Sequence, residues 1–260
     1  MVTYRNKELF VENVSFKTLA STYGTPCYIY SKKYLVEQFS DYKNAFKGYP
    51  QTIICYSVKA NSNLSILKVF KEMGSGFDIV SGGELERVIA IGANPKKVVF
   101  SGVAKSNEEV RKAIEFGILF FNVESFDELE VINKIAKKTR HVAEISIRVN
   151  PDINPKTHPY ISTGLKSSKF GIPIRQSFEI YREAKKMKNI KLIGIDAHIG
   201  SQILDLDPFE DSLERLENLY FKLKDENINI DFIDIGGGLG IKYKDEDRPP
   251  PKKKFAQKII

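Results

Sequence analysis

Apolar and polar positions follow two alternating patterns along the chain. Short apolar runs predict β-strands, and longer segments with apolar residues three or four positions apart predict amphipathic helices. The predicted strands are residues 52–58, 77–80, 97–100, 118–123, 143–150, 191–199 and 228–235. The predicted helices are residues 32–46, 62–73, 82–92, 107–117, 125–138, 175–188 and 207–225.

Capping residues support these helix boundaries. Three helices begin with the S-x-x-E pattern of a capping box, in which a serine and a glutamate bond to the first free backbone amides. These pairs are Ser81 with Glu84, Ser106 with Glu109, and Ser125 with Glu128. Gly74, Gly92 and Gly117 follow the ends of three helices, where glycine tolerates the left-handed conformation.

Strands that alternate with helices predict a parallel sheet with right-handed crossovers. Seven strands with intervening helices suit an α/β fold of the (β/α)8 TIM-barrel type better than an open sheet, although periodicity alone leaves the open, doubly wound sheet possible. After Ile235 the pattern changes to a glycine loop and a polar, proline-rich segment, with a further helix start near residues 253–260. The sequence contains no eighth strand, so we expect an incomplete barrel.

Two predicted strands carry polar residues on one face. In residues 143–150 that face consists of Glu144, Ser146, Arg148 and Asn150. In residues 191–199, Asp196 and His198 share a face opposite Ile193, Ile195 and Ile199. Buried parallel strands are usually apolar on both faces, so these polar groups require partners inside the barrel or at its mouth.

Composition and charge narrow the classes of function. The 260 residues are 42% hydrophobic and 28% charged, which is ordinary for a soluble enzyme. No apolar stretch is long enough to cross a membrane, and the first residues lack the apolar core of a signal peptide, so we expect a cytoplasmic protein. The net charge of +7 comes from dispersed lysines rather than a basic stripe, which argues against nucleic-acid binding. The two cysteines and three histidines have no metal-ligand spacing.

Lys59 follows the first strand of the predicted barrel, in the motif YSVKAN. An isolated lysine is most often a solvated loop residue. A lysine held at a barrel mouth among apolar neighbours instead has a lowered pKa and can form a Schiff base with a carbonyl group.

The seventh strand is followed by Gly236, Gly237 and Gly238. A tight turn explains one such glycine, but three in succession leave backbone amides bare enough to surround a phosphate group. Phosphate sites of barrel enzymes commonly use the loops after strands seven and eight. The run GGGLG is not a dinucleotide-binding fingerprint, because no clear helix follows it.

Other candidate groups end neighbouring strands. His198 and Ser201 lie in the motif HIGSQI, where an imidazole can stack on a ring or move protons and a hydroxyl can bind phosphate. Asp78 and Arg148 lie on the second and fifth strands, and either a ligand contact or a salt bridge inside the barrel explains them. A Schiff-base lysine, a phosphate loop and a histidine at one mouth together indicate pyridoxal 5'-phosphate as the cofactor.

At this point several long motifs resemble the diaminopimelate decarboxylases, which share the alanine racemase-like barrel of pyridoxal-phosphate enzymes. The motifs, spread over about residues 19–243, are YSVKAN, FDIVSGGELERVIAIGANPKKVVFSGVAKSNEEVRKAIEFGILFFNVES, RVNPDINPKTHPYISTGLKSSKFGI, HIGSQI and DIGGGLGI. The resemblance implies that Lys59 binds the cofactor covalently, that His198 stacks on its ring, and that Ser201 and Gly236 to Gly238 hold its phosphate. It places Asp78 and Arg148 in the same site. The implied reaction converts meso-diaminopimelate to L-lysine and carbon dioxide.

The resemblance also implies parts that this sequence lacks. Family members continue into an eighth strand with a Glu-Pro-Gly-Arg motif and a β-domain with a Cys-Glu-Ser-Gly-Asp motif, and they complete their sites as homodimers. We therefore expect residues 1–25 to be a segment that pairs with such a β-domain, and residues 26–260 to be a truncated pyridoxal-phosphate barrel that is not competent alone.

Two alternatives follow from the same motifs. One is a decarboxylase of another basic amino acid or of a carboxylated polyamine. The other is a non-catalytic, single-barrel protein that binds pyridoxal phosphate, which the decarboxylase-like segments 81–88 and 163–172 disfavour.

Overall fold

The N-terminal residues form a small antiparallel sheet beside the main body of the protein. In the computed structural model, which describes residues 2–153 and 170–260, strands β1 (Val2–Arg5), β2 (Glu8–Val11) and β3 (Val14–Ser15) pair in sequence order. Helix α1 (Phe16–Tyr23) follows and buries none of its residues. The Glu12 carboxylate accepts hydrogen bonds from Ser31 Oγ (2.6 Å) and Lys33 N (3.1 Å), which ties this sheet to the start of the next helix.

The main sheet is parallel, as the alternating pattern predicted. Its seven successive strands are β4 (Cys55–Ser57), β5 (Gly76–Ile79), β6 (Val98–Phe100), β7 (Phe120–Val123), β8 (Ala143–Asn150), β10 (Ile190–Asp196) and β11 (Phe232–Asp234). The short strand β9 (Ile172–Pro173) pairs with the end of β8. Among the described residues no strand joins β11 back to β4, so the barrel is incomplete in the way that the sequence predicted.

Helices connect these strands and cover the outer face of the sheet. They are α2 (Lys32–Ala45), α3 (Leu64–Glu72), α4 (Gly82–Ala90), α5 (Asn107–Phe116), α6 (Phe126–Thr139), α7 (Ile174–Lys185), α8 (Asp207–Asp225) and α9 (Lys252–Ile259). The largest apolar core lies between the helices and the sheet and includes Leu67, Leu85, Ile132, Ile147 and Leu219. Burial of this amphipathic face stabilises helices that are too short to persist alone.

The capping boxes form in part. The reciprocal pair of Ser106 and Glu109 is complete, and Ser81 and Ser125 each accept the predicted amide hydrogen bond. However, the Glu84 and Glu128 carboxylates do not return to the serine amide. Each reaches one residue further back, to the amide of Val80 (2.8 Å) and of Glu124 (2.9 Å) respectively, and so fixes the chain that leaves the preceding strand.

The alternation of β8 is confirmed, but that of β10 is not. Arg148 and Ser146 face the barrel interior, while Ile145 and Ile147 pack under the helices. In β10 a bulge between Leu192 and Gly194 shifts the register against β8. The prediction that Ile193 shares the outer face with Ile195 is therefore wrong.

Ile193 instead packs inside the barrel in a small apolar cluster with Val99, Leu119 and Phe120. The bulge adds one residue to β10 and changes the face on which each later side chain lies. A third cluster lies near the mouth, where Ile199 and Ile203 pack with Phe209 of α8 and Phe255 of α9.

Candidate active site

The carboxyl ends of β4, β10 and β11 carry the predicted lysine, histidine and glycine loop. Lys59 lies in a single 3-10 turn immediately after β4, and His198 and Gly236 each lie two residues beyond the ends of their strands. The Lys59 charge acts on the pKa values of both His198 and Glu84, so these groups share one site. The strand order thus brings to one end of the sheet residues that are distant in the sequence. Lys59 and Gly236, for example, are 177 positions apart.

The glycine loop packs against the loop after β10, and its geometry excludes side chains at two positions. Gly236 and Gly238 have positive φ angles of 66° and 103°. A Cβ atom on Gly236 would lie 2.6 Å from His198 Nδ1, and one on Gly238 would overlap the carbonyl oxygen of Gly200. Gly237 faces open space. The exposed Ser201 borders Gly238, so hydroxyl and backbone groups of the two loops line one surface.

His198 is held as a neutral imidazole. Its Nδ1 atom accepts a hydrogen bond from the Gly237 amide at 3.4 Å, which a protonated ring cannot do. Burial, together with the positive charges of Arg148 and Lys59, lowers the pKa of His198 to about 4. At neutral pH the ring is therefore an uncharged flat surface at the mouth.

Glu84, in the first turn of α4, lies within electrostatic range of Lys59. Partial burial raises the pKa of Glu84, while its hydrogen bond from Val80 and the nearby Lys59 act in the opposite direction. The predicted hydrogen bond from the Glu84 amide to Ser81 Oγ is confirmed. The Glu84 carboxylate accepts the Val80 amide instead of the Ser81 amide.

Asp78 lies on β5 and faces the interior of the barrel, below its mouth. Its carboxylate accepts hydrogen bonds from Ser57 Oγ (2.9 Å), the last residue of β4, and from Ser101 Oγ (2.6 Å), the residue after β6. Asp78 thus links β4, which leads to Lys59, with β5 and β6.

Arg148 has the salt-bridge role that its polar strand face suggested. Its guanidinium contacts Glu124 Oε1 at 2.6 Å and Asp196 Oδ2 at 3.8 Å, and it lies 5.4 Å from the centroid of the Phe170 ring. Glu124 also accepts the Gly171 amide at 3.0 Å. Burial raises the pKa of Asp196 well above its ordinary value. The nearby Asp234 adds to this rise, and the Arg148 charge offsets only part of it.

A buried ion pair supports Glu124 from outside the barrel. Lys105 Nζ, with a side chain that is 0% exposed, contacts Glu128 Oε1 at 2.6 Å and the Asn122 carbonyl oxygen at 2.8 Å. The other oxygen of Glu128 accepts the Glu124 amide. Burial raises the pKa of Glu128, and the Lys105 charge opposes that rise. Through Glu128, Lys105 therefore helps to hold the backbone of Glu124, whose carboxylate contacts Arg148.

Sequence reasoning missed the acidic and amide partners of these groups. Glu124, Asp234 and Asn122 lie at or directly after strand ends, where a polar residue interrupts an apolar run. That interruption was the available signal. Of the other histidines, His141 is exposed away from the mouth, and His158 lies outside the described residues.

The site fits a phosphorylated, flat, carbonyl-bearing cofactor. Its glycine loop admits backbone but no side chains at Gly236 and Gly238, its imidazole is neutral, and an amine lies at the same mouth. Lys59 would hold the carbonyl carbon, His198 would stack on the ring, and the loop amides with Ser201 would bind the phosphate. Within the described residues no cluster of histidine, cysteine and carboxylate groups could hold a metal ion.

Comparison with known proteins agrees with this geometry. The sequence pattern of the family described as pyridoxal-dependent decarboxylase, pyridoxal binding domain, matches residues 32–260. The chain therefore belongs to the pyridoxal-dependent decarboxylases, and its cofactor is that of the family, pyridoxal phosphate.

Within that family the chain is similar to diaminopimelate decarboxylases. The chain is 49% identical to the enzyme of Aquifex aeolicus over 97% of its own length and 60% of the relative's length. It superimposes on the crystal structure of the M. jannaschii diaminopimelate decarboxylase in complex with L-lysine with a TM-score of 0.93 and 37% identity, covering 99% of this chain and 61% of that one. It superimposes on the crystal structure of the Helicobacter pylori diaminopimelate decarboxylase complexed with L-lysine with a TM-score of 0.90 and 43% identity, covering 94% of this chain and 61% of that one. The chain spans about 60% of the length of these relatives.

The state of His198 is testable by titration. Because its pKa falls from 6.5 to about 4 on folding, the folded protein binds fewer protons than the unfolded chain between these values. His198 then stabilises the fold above pH 6.5, and this contribution, about 3 kcal/mol, is lost as the pH falls from 6.5 through about 4. We expect NMR titration of the ring to give a midpoint near 4, and a His198→Gln variant to lose less stability on acidification.

The His141→Gln variant controls for loss of an imidazole at an exposed position. A His198 ring that titrates near its ordinary pKa would contradict this account.

Lys105 provides a second prediction. We expect Lys105→Met to reduce the free energy of unfolding by about 3–5 kcal/mol at pH 7, because it leaves the buried Glu128 carboxylate without its counter-charge. The matched control is Lys112→Met, which removes an ion pair with Glu86 at side-chain exposures of 39% and 57% and should cost less than about 1 kcal/mol. Urea denaturation measures both, and equal losses would contradict the assigned difference.

Proposed function

We propose that this chain is the cofactor-binding part of an enzyme that decarboxylates meso-diaminopimelate to L-lysine. The observation that carries the proposal is the convergence of Lys59, neutral His198 and the Gly236–Gly238 loop at one barrel mouth. The similarity to diaminopimelate decarboxylases along nearly the whole chain supports the choice of substrate.

Lys59, His198 and Ser201 each contribute a different group to cofactor binding. Lys59 would bind the cofactor through its amine, and the neutral His198 ring would offer the cofactor ring a flat surface without adding positive charge. Ser201 and the loop amides bind the phosphate. When bound, pyridoxal phosphate accepts the electron pair that remains after carbon dioxide leaves.

Asp78 and Arg148 act on the same site from the barrel interior. Asp78 fixes the strand that leads to Lys59 through Ser57, and Arg148 holds the acidic groups Glu124 and Asp196 in place. These contacts support roles in positioning the cofactor-binding groups and in balancing the charge of the site.

We further infer that residues 1–25 pair with a β-domain of the longer protein and that the active form is a homodimer. The surface of this segment supports the inference, because all of β1 is exposed and Tyr4 and Tyr23 are 77% and 76% exposed. Exposed aromatic side chains on adjacent elements are typical of surfaces that a partner covers.

The proposal includes a cytoplasmic location. Cys27 and Cys55 are free thiols, as a reducing compartment maintains them. None of the described helices is long and apolar enough to span a membrane.

Covalent capture of the cofactor tests the site. After addition of pyridoxal phosphate and reduction with borohydride, we expect peptide mass spectrometry to find one adduct, on Lys59. Lys59→Ala should abolish it, whereas Lys68→Ala, which removes an exposed lysine nine residues away on α3, should leave it unchanged. Unchanged capture by the Lys59→Ala variant would refute the assignment.

Substrate choice is tested on the full-length natural protein. We expect carbon dioxide release from meso-diaminopimelate together with L-lysine formation, and at most weak release from ornithine or arginine. Activity toward ornithine or arginine alone would overturn the proposed substrate.

A further inference from the structure

Strands β7 and β11 touch each other through the interior of the barrel, although β8 and β10 separate them in the sheet. The Phe120 and Phe232 rings lie 5.6 Å apart between centroids. Two residues further along both strands, Asn122 Nδ2 donates to Asp234 Oδ2 at 3.2 Å. Side chains two positions apart in a strand share a face, so these contacts form two stacked layers.

Small residues on the intervening strands make this contact possible. Asn122 is in register with Ser146, and Ser146 is in register with Gly194. A Cβ atom on Gly194 would lie 2.9 Å from Ser146 Oγ, so no larger residue fits there without displacing its neighbour. The space above these two residues is what Asn122 and Asp234 cross.

The hydrogen bonds through Asn122 run in one direction. Ser101 Oγ donates to the Asp78 carboxylate, so it accepts from Asn122 Nδ2 (3.1 Å). The second hydrogen of the same amide goes to Asp234. Asn122 is 1% exposed, and within the described part of the chain its Oδ1 atom has no hydrogen-bond partner. Both of its donated bonds are therefore needed to offset the cost of burying the amide.

Asp234 transmits this contact to the glycine loop. Its Oδ1 atom accepts the Gly236 amide at 2.8 Å, while Oδ2 accepts from Asn122. Gly236 in turn lies against His198, and the next amide, that of Gly237, bonds to the imidazole. The orientation of the Asp234 carboxylate thus sets the direction of the first turn of the loop.

We propose that Asn122 is a positioning residue that, through Asp234, fixes the Gly236–Gly238 loop in the conformation that binds the cofactor phosphate. It links the lysine side of the site, through Ser101, Asp78 and Ser57, with the phosphate side. This inference rests on the proposed function only for the identity of the anion.

Exchange of the two side chains tests the link. In Asn122→Asp two carboxylates face each other, and in Asp234→Asn two amide groups compete to donate. Each single variant removes the amide-to-carboxylate pairing at this position. The double variant, Asn122→Asp with Asp234→Asn, restores the bond between residues 122 and 234 with the donor and acceptor reversed, and residue 234 still accepts the Gly236 amide. The bond to Ser101 is lost in the double variant as it is in Asn122→Asp, so recovery relative to Asn122→Asp reports on the bond to residue 234 alone.

The first measurement needs no cofactor. We expect amide hydrogen exchange in the segment that contains Gly236 and Gly237 to accelerate about tenfold in each single variant and to slow again in the double variant. The matched control is Asn133→Ala on α6, because Asn133 also has a buried amide oxygen without a partner among the described residues. It should leave exchange in the loop unchanged.

The second measurement compares the affinities for pyridoxal phosphate and for pyridoxal, which lacks the phosphate. We expect the ratio of the two affinities to fall about tenfold in the single variants and to recover in the double variant. A general loss of folding would weaken both ligands equally and leave the ratio unchanged.

The outcomes separate the two proposals. Failure of the unaltered full-length protein to capture pyridoxal phosphate on Lys59 would refute the proposed function, and loop exchange would still decide the role of Asn122. Loop exchange and a phosphate preference that do not respond to the single variants, or a double variant no better than either, would overturn the inference.

Discussion

Hydrogen bonding of polar groups inside the parallel barrel is the constraint on which the site depends. Asp78, Asn122 and Asp234 occupy a region where a polar atom without a partner costs about 1–3 kcal/mol. Hydrogen bonds with neighbouring serines, with one another and with a loop amide satisfy most of their polar atoms. The same bonds determine where the strand ends point. In this protein the interior therefore aligns the mouth as well as filling the barrel.

Charge at the mouth is controlled from two directions. Burial favours the neutral forms of Asp196, Asp234 and His198, which keeps like charges from accumulating in a small volume. Outside the barrel, the Lys105–Glu128 pair fixes the backbone of Glu124, whose carboxylate holds Arg148. Arg148 is thus restrained both by the interior and by the helix layer, so changes in α6 packing bear directly on the mouth.

Much of the fold was predictable because it depends on local patterns. The bounds of β8 and α8 match the predicted segments, and Lys59, His198 and the glycine loop meet as the parallel topology requires. The location of a side chain after a strand end follows from periodicity and strand order alone. Those two rules needed no knowledge of packing.

The parts that were not predicted depend on distant pairs. Asn122 and Asp234 are 112 residues apart, and their contact across the barrel interior is specified by no local pattern. Likewise, Gly194 in the run KLIGIDAHI is an interior glycine of the kind that often marks a bulge, but regular alternation was expected there, so Ile193 was assigned to the wrong face. Periodicity assigns alternate residues to opposite faces of a strand, and a bulge shifts that assignment by one residue.

The bulge in β10 also limits how this chain can vary in length. Asp196 and His198 face inward because the strand contains one extra residue between Leu192 and Gly194. Deletion of a single residue there would leave the strand nearly as long, but it would turn each following side chain to the opposite side of the sheet. The parity of this strand, rather than its length or hydrophobicity, is what insertions and deletions must preserve.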